Sequence, residues 1–263
     1  MTTVKRTVSA KARIESPYLP DLKESLDRPP DIVLAEKEDI PKQKQGLELA
    51  NESKEKREKK ATKIKRRLTS FMASTPFNKN DKVNKHYKER SEEFESICEE
   101  LINLTFEKEL YNCKACTQER EISFNGRTLR TLDISILNLP RDTHPNLIWN
   151  YLKKEDEYNC QKIIFECKNY SQLTKIGVGE VYQLYGYLDP KNIGKFGVIL
   201  NKFGFSNLSV KGKEAIKRVK KDDYLILVLG REEMGEWLNE WIENESCQRF
   251  FNEQISRFMS LSK

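Results

Sequence analysis

Only three of the chain's 25 aromatic residues lie in the first 80 of its 263 positions, together with six of its nine prolines. A chain folds only where buried apolar surface offsets the entropy of ordering it. A core therefore has to be built from about residue 81 onward. Charge follows the same division. Residues 1–80 carry 19 Lys/Arg against 12 Asp/Glu, a net +7, while the whole chain is +6, so residues 81–263 sum to −1. Residues 1–42 read as a disordered or loosely attached arm.

Residues 43–80 form a second section, a basic amphipathic helix and a linker. The stretch 43–72 lacks proline and is rich in helix formers. Ala61, Ile64, Leu68 and Met72 recur at helical spacing among lysines and arginines. Such a helix suits contact with nucleic acid or a partner protein, or stands simply as a solvated charged helix. Its charge density points to a tether outside the folded domain.

The third section, 81–263, alternates helical and strand patterns. Tyr87, Phe94, Ile97, Cys98, Leu101, Ile102 and Leu104 mark an amphipathic helix. Strands are expected near 109–122, 127–138, 162–169, 195–201 and 223–229, with Asn125-Gly126 as a hairpin turn between the first two. Helices are expected at 174–188, over the segment that opens at Ser206, and from Arg231 to the end. Strands alternating with helices imply parallel neighbours, and the hairpin implies an antiparallel pair at the front. The fold class is α/β, a mixed β-sheet with helices on both faces. Residues 140–160, with Pro140 and Pro145, form an insertion between the second and third strands, expected near the substrate.

The chemistry concentrates in two of these strands. Asp133 interrupts the apolar alternation of Leu132, Ile134 and Ile136, and Glu166 and Lys168 follow the apolar run Ile163-Ile164-Phe165. Carboxylates and lysines are among the residues least suited to a buried strand. Residues two apart share a face of a strand. If the two strands are neighbours, two carboxylates and an ammonium meet there. Clustered carboxylates repel unless a cation neutralises them, and hard oxygen donors select magnesium or manganese. Such an ion polarises a phosphoryl group and activates water. A structural reading also stands for Asp133 and Lys168, as partners in a buried ion pair.

Leu132-Asp133-Ile134 followed by Glu166-Cys167-Lys168, on the second and third strands after a leading helix, resembles the PD-(D/E)xK restriction-endonuclease-like nucleases, most closely the Mrr-type and defence-associated branch. The resemblance covers about residues 85–230. It departs in having Leu132 where the motif's proline stands and 33 residues between Asp133 and Glu166. It implies a restriction-endonuclease-like sheet and hydrolysis of DNA phosphodiesters with Mg²⁺, for which Mn²⁺ substitutes, in restriction or antiviral defence. It implies catalytic roles for Asp133, Glu166 and Lys168, and for Gln183 on the following helix, whose spacing to Tyr187 recurs in some branches. Phe94-Glu95 matches a Phe-Glu pair of the first helix and makes Glu95 a third metal ligand.

Two other readings stand beside this one: a non-catalytic nucleic-acid-binding or scaffold subunit that keeps the fold, and an RNA- or junction-directed nuclease. Retention of all three polar residues argues against the first. Nucleic-acid affinity draws on lysines and arginines, and residues 81–263 are near neutral. The basic N-terminal segment, a homodimer or a partner protein that supplies targeting is the expected source of binding. Cys113 and Cys116 form one CxxC, but a zinc site needs about four ligands and the only histidines are His86 and His144. The pair reads as small apolar residues in a strand. No run of 18 apolar residues and no signal-peptide pattern occurs, so a cytoplasmic protein without membrane contact is expected.

Overall fold

The computed structural model describes residues 39–73, 85–111, 113–122, 128–144, 147–154, 156–170 and 174–260. The expected arm thus lies outside the described residues up to position 38, as does the Asn125-Gly126 turn. The chain divides into two compact units, Met1–Gly46 and Leu47–Lys263. Of the first, the described part is the opening of helix α1 (Asp39–Ala73), which starts before the expected residue 43. Pro41 falls in its first turn, where a missing N–H costs nothing.

The second unit holds one five-stranded sheet. Strand β1 (Cys116–Ile122) pairs antiparallel with β2 (Thr128–Leu137), and β2 pairs antiparallel with β3 (Lys162–Lys168). Strands β4 (Phe196–Asn201) and β5 (Leu225–Leu229) continue the sheet in parallel with β3, giving the order β1-β2-β3-β4-β5. Parallel neighbours need helical crossovers. These are α4 (Val178–Tyr187) between β3 and β4, and α5 (Val210–Lys221) between β4 and β5. The expected mixed α/β sheet is present, with four of its strands within two residues of their expected bounds. The first is shorter than expected, because residues 107–111 form a turn in which Leu110 bridges Pro140.

Both faces of the sheet are covered. On one, Phe165 of β3 meets Phe106 at the end of α2 (Lys85–Phe106) and Trp237 of α6 (Arg231–Asn244). Phe251 of α7 (Gln248–Ser260) joins Phe106 and Trp237, with centroids 5.8 and 5.0 Å away. On the other face α4 lies against β4. Gly197, paired with Ile164, leaves room for Leu184, whose Cδ1 would stand 3.1 Å from any Cβ placed there.

The 140–160 insertion lies away from the end of β3 that carries Glu166 and Lys168. It carries α3 (Ile148–Lys153), whose Trp149 packs between Phe106 and Phe251. It joins β2 to β3 at the end where Leu137 pairs with Lys162, whereas Glu166 and Lys168 lie at the opposite end of β3. Glu109 secures this corner. Its carboxylate accepts hydrogen bonds from the Trp149 indole, Ser246 Oγ (2.7 Å) and the backbone N–H of Cys247 (2.5 Å).

Helix α1 corrects the expectation of a tether standing apart from the domain. Ala61, Ile64, Leu68 and Phe71 are buried in the domain core, and Phe71 stacks on Phe94 of α2 at 5.4 Å. Phe71 completes the stripe; the side chain of Met72, expected in that role, lies outside the described residues. Part of the helix's charge is engaged by the domain. Arg57 pairs with Glu245, Arg67 with Glu100, and Lys65 donates to Asn239. Phe71→Ala is expected to cost about 3–5 kcal/mol, as for other buried aromatics. Removing residues 1–73 is expected to leave an insoluble or strongly destabilised domain. Thermal denaturation of the two variants beside the full chain checks both; a truncated domain melting like the full chain would show that α1 contributes nothing to the core.

Candidate active site

Register brings the three expected polar residues together. Ile134 pairs with Phe165 across β2 and β3 and Ser135 with Ile164, so one further step sets Asp133 abreast of Glu166. Paired residues share a face. Asp133, Glu166 and Lys168 therefore lie on the face that also carries Ile164 and Gly197, the one covered by α4. Asp133 Oδ2 accepts the backbone N–H of Cys167 at 2.8 Å, which fixes the carboxylate across the strand gap. Lys168 Nζ donates to Glu166 Oε1, and Glu166 is only 1% exposed. The other carboxylate oxygen, Glu166 Oε2, is buried with no hydrogen-bond partner among the described residues.

The electrostatics follow from this burial. Desolvation pushes Glu166 up to about 7, opposed first by the Lys168 ammonium and reinforced by Asp133. Asp133 is raised by burial, against Lys168 and the Cys167 N–H. Glu95, on α2, is raised by burial and then by Asp133, and it also senses Lys168, so it belongs to the same electrostatic cluster. Burial disfavours the charged form of Lys168, but Glu166 and Asp133 outweigh it and hold the ammonium above its ordinary range. The result is a charged lysine among three carboxyl groups that resist ionisation.

Sequence reasoning missed several supports. Gln118 has a left-handed backbone (φ 52°) between the pairs Thr117–Ile134 and Glu119–Leu132, abreast of Asp133. Its amide donates to Glu95 Oε2 at 2.7 Å. A non-glycine residue at such a φ is uncommon and often marks a functional site, but nothing in a Thr-Gln-Glu sequence announces it. Beyond Lys168, Tyr170 donates to Glu180 Oε1 at 3.1 Å, and the second oxygen of Glu180 accepts the Gly177 N–H that opens α4. Among the described residues no hydrogen bond ties Gln183 to the cluster. This side chain is exposed and donates to Tyr187 at 2.8 Å, within its own helix. Of the CxxC pair only Cys116 sits in a strand, opening β1 exposed, while Cys113 precedes it, its thiol pushed up to about 12 by burial.

Among the described residues no three His, Cys, Asp or Glu side chains form a ready cage for a metal. The donor set still suits a hard cation. Magnesium keeps several waters and takes only one or two protein carboxylates. Among the described residues Glu166 Oε2 is an orphaned buried acceptor, and Asp133 stands beside it with one oxygen engaged by the Cys167 N–H. Compared with protein-family models, curated proteins and solved structures, the chain has no match.

The raised carboxyl groups fix the sign of a pH effect. Each binds its proton more tightly folded than unfolded, so that stability is complete below the unfolded carboxylate range, near pH 4.5. It is lost as pH rises toward about 7, where Glu166 ionises in the folded state. Glu166→Gln is therefore expected to raise the melting temperature at pH 7.5 by roughly 4–8 °C, equivalent to about 2 kcal/mol in a domain of this size. It should also flatten the melting profile between pH 5 and pH 7.5. Parallel profiles for variant and wild type would show that Glu166 is not held against ionisation.

Proposed function

We propose that the chain is a metal-dependent nuclease of the restriction-endonuclease-like kind, hydrolysing phosphodiester bonds with DNA as the favoured substrate. The observation that carries this reading is the convergence of Asp133, Glu166 and Lys168 on one face of two neighbouring strands, around the buried Glu166. A stabilising ion pair would need one carboxylate. Two carboxyl groups around one lysine, with Glu95 in the same electrostatic cluster, are more than an ion pair requires.

Asp133 and Glu166 would hold Mg²⁺ or Mn²⁺, with Glu95 as a third donor. When bound, the ion supplies Lewis-acid activation of the phosphoryl group and of a water molecule. The chain's own groups do the rest. The N–H of Cys167 fixes Asp133, so the carboxylate needs no reorganisation on binding. Lys168 stays protonated and holds its charge beside Glu166, where negative charge develops on the phosphoryl oxygens during attack. Gln183, on the helix that covers this face, is held by Tyr187 through its amide. Defence against foreign DNA, and a homodimer or targeting partner, are the biological settings that the resemblance suggests. No described helix is long and apolar enough to cross a membrane.

Purified protein is expected to nick or cut plasmid DNA with Mg²⁺ or Mn²⁺ and not with EDTA, while Asp133→Ala is inactive. Parallel reactions with RNA decide the substrate class. Lys168→Ala is expected to lower the single-turnover rate at saturating protein by roughly a hundred- to a thousand-fold, as removal of a comparable electrostatic group does. Recovery of the wild-type rate at saturation would assign Lys168 to binding. Undiminished cleavage by Asp133→Ala would remove the nuclease reading.

A further inference from the structure

The loops that follow β4 and β5 enclose a cavity of about 380 Å³, with Lys202, Phe205, Ser206 and Arg231 on its walls. It sits at the C-terminal ends of parallel strands, the edge where open α/β sheets take ligands. The candidate active site is at the same edge, because Lys168 pairs with Asn201, the residue before Lys202. The two loops are pressed backbone to backbone. Gly204 has φ +60°, and a Cβ on Gly230 would lie 2.2 Å from Gly204 N. The Arg231 N–H reaches Lys202 O at 3.3 Å. Glycine at both points lets the first turn of α6 close onto the end of β4.

Lys202 is the feature that a structural role does not explain. It is only 5% exposed. Its ammonium lies over the Phe71 ring at 4.7 Å, and the Arg90 guanidinium lies over the same ring at 4.9 Å. Among the described residues no hydrogen bond or ion pair reaches that ammonium. Burial and Arg90 pull it down to about 8, with Glu93 opposing them. A buried charge without an anion is costly, and a methionine would fill the same space at less cost. Of the two carboxylates on the cavity wall, Glu233 is turned onto the Gly230 N–H at 2.8 Å, and Glu232 is exposed at the rim.

We propose that Lys202 and Arg231 form a phosphate subsite that holds one backbone phosphate of a nucleic-acid strand whose neighbouring phosphodiester lies at Asp133, Glu166 and Lys168. This placement rests on the nuclease reading above. A phosphodiester carries a single negative charge and accepts from both a lysine and an arginine. The subsite gives residues 81–263, near neutral in sum, a local source of affinity, and it sets the strand's register without reading its bases.

The test is the affinity of the full chain for short fluorescent duplexes and single strands, by anisotropy in EDTA across a salt series. Lys202→Met, which keeps length and packing on Phe71, and Arg231→Gln are each expected to weaken binding about tenfold. Each should also lower the salt slope by about one. Arg249→Gln, an exposed charge on α7, is expected to change neither. Wild-type affinity in both variants overturns the subsite, as does an equal loss in Arg249→Gln. If Lys202→Met fails to fold, Arg231→Gln carries the test alone, since its side chain is exposed. Inorganic phosphate and a mononucleotide serve as competitors. Tight binding of either, with no binding of the strands, assigns the cavity to a small ligand and overturns the proposal. Wild-type protein that binds strands through Lys202 but cuts none with Mg²⁺ supports the subsite and removes the nuclease reading. Cleavage with Lys202-independent binding does the reverse.

Discussion

The arrangement of this domain depends on one costly placement, a glutamate sealed into the middle of a mixed sheet. Glu166 is fully inside, and the single cation beside it is supplied two residues along the same strand. Desolvation of a carboxylate costs several kcal/mol unless charge and hydrogen bonds compensate. Lys168 compensates one oxygen and leaves the other bare. Everything near it holds that imbalance in place. Asp133 is pinned by the Cys167 N–H, Gln118 bends its own backbone to reach Glu95, and Tyr170 and Glu180 fix the start of the helix that lies over β4.

The opposite face of the sheet provides the compensation. Phe106, Trp149, Phe165, Trp237 and Phe251 form one continuous aromatic layer, with tilted and edge-on contacts that add to area burial. Glu109 ties α3 and α7 together at its margin. Polar strain and apolar cohesion are thus separated by the thickness of a single sheet, through the alternation of side chains along β3. Phe165 faces the aromatic layer while Glu166 faces the carboxylates.

That alternation is why so much was legible in the sequence. Period-two apolar spacing around Asp133 and the run before Glu166 set the strands, and the strands set which residues share a face. The approach of β2 to β3 then followed from their order. What escaped the sequence was whatever depends on distant partners or on one dihedral angle. Glu109 finds Cys247 across 138 positions. Gln118 adopts a left-handed backbone that no neighbour demands. Helix α1 reads as a charged tether because four apolar residues are few among many lysines, yet those four suffice once Phe94 and its neighbours offer a surface. The spacing of Gln183 to Tyr187 is met by a hydrogen bond inside the helix.

The docking of α1 has a kinetic side. Every strand of the sheet pairs with its neighbour in the chain, so the sheet grows by local additions during synthesis. Helix α1 leaves the ribosome before the sheet, whereas Asn239 and Glu245, which receive Lys65 and Arg57, leave after it. At roughly 5–20 residues per second, its apolar stripe waits about ten to forty seconds for those partners. Charges beside an exposed apolar segment oppose its aggregation, so the lysines and arginines that flank the stripe act on the nascent chain before they pair in the finished domain.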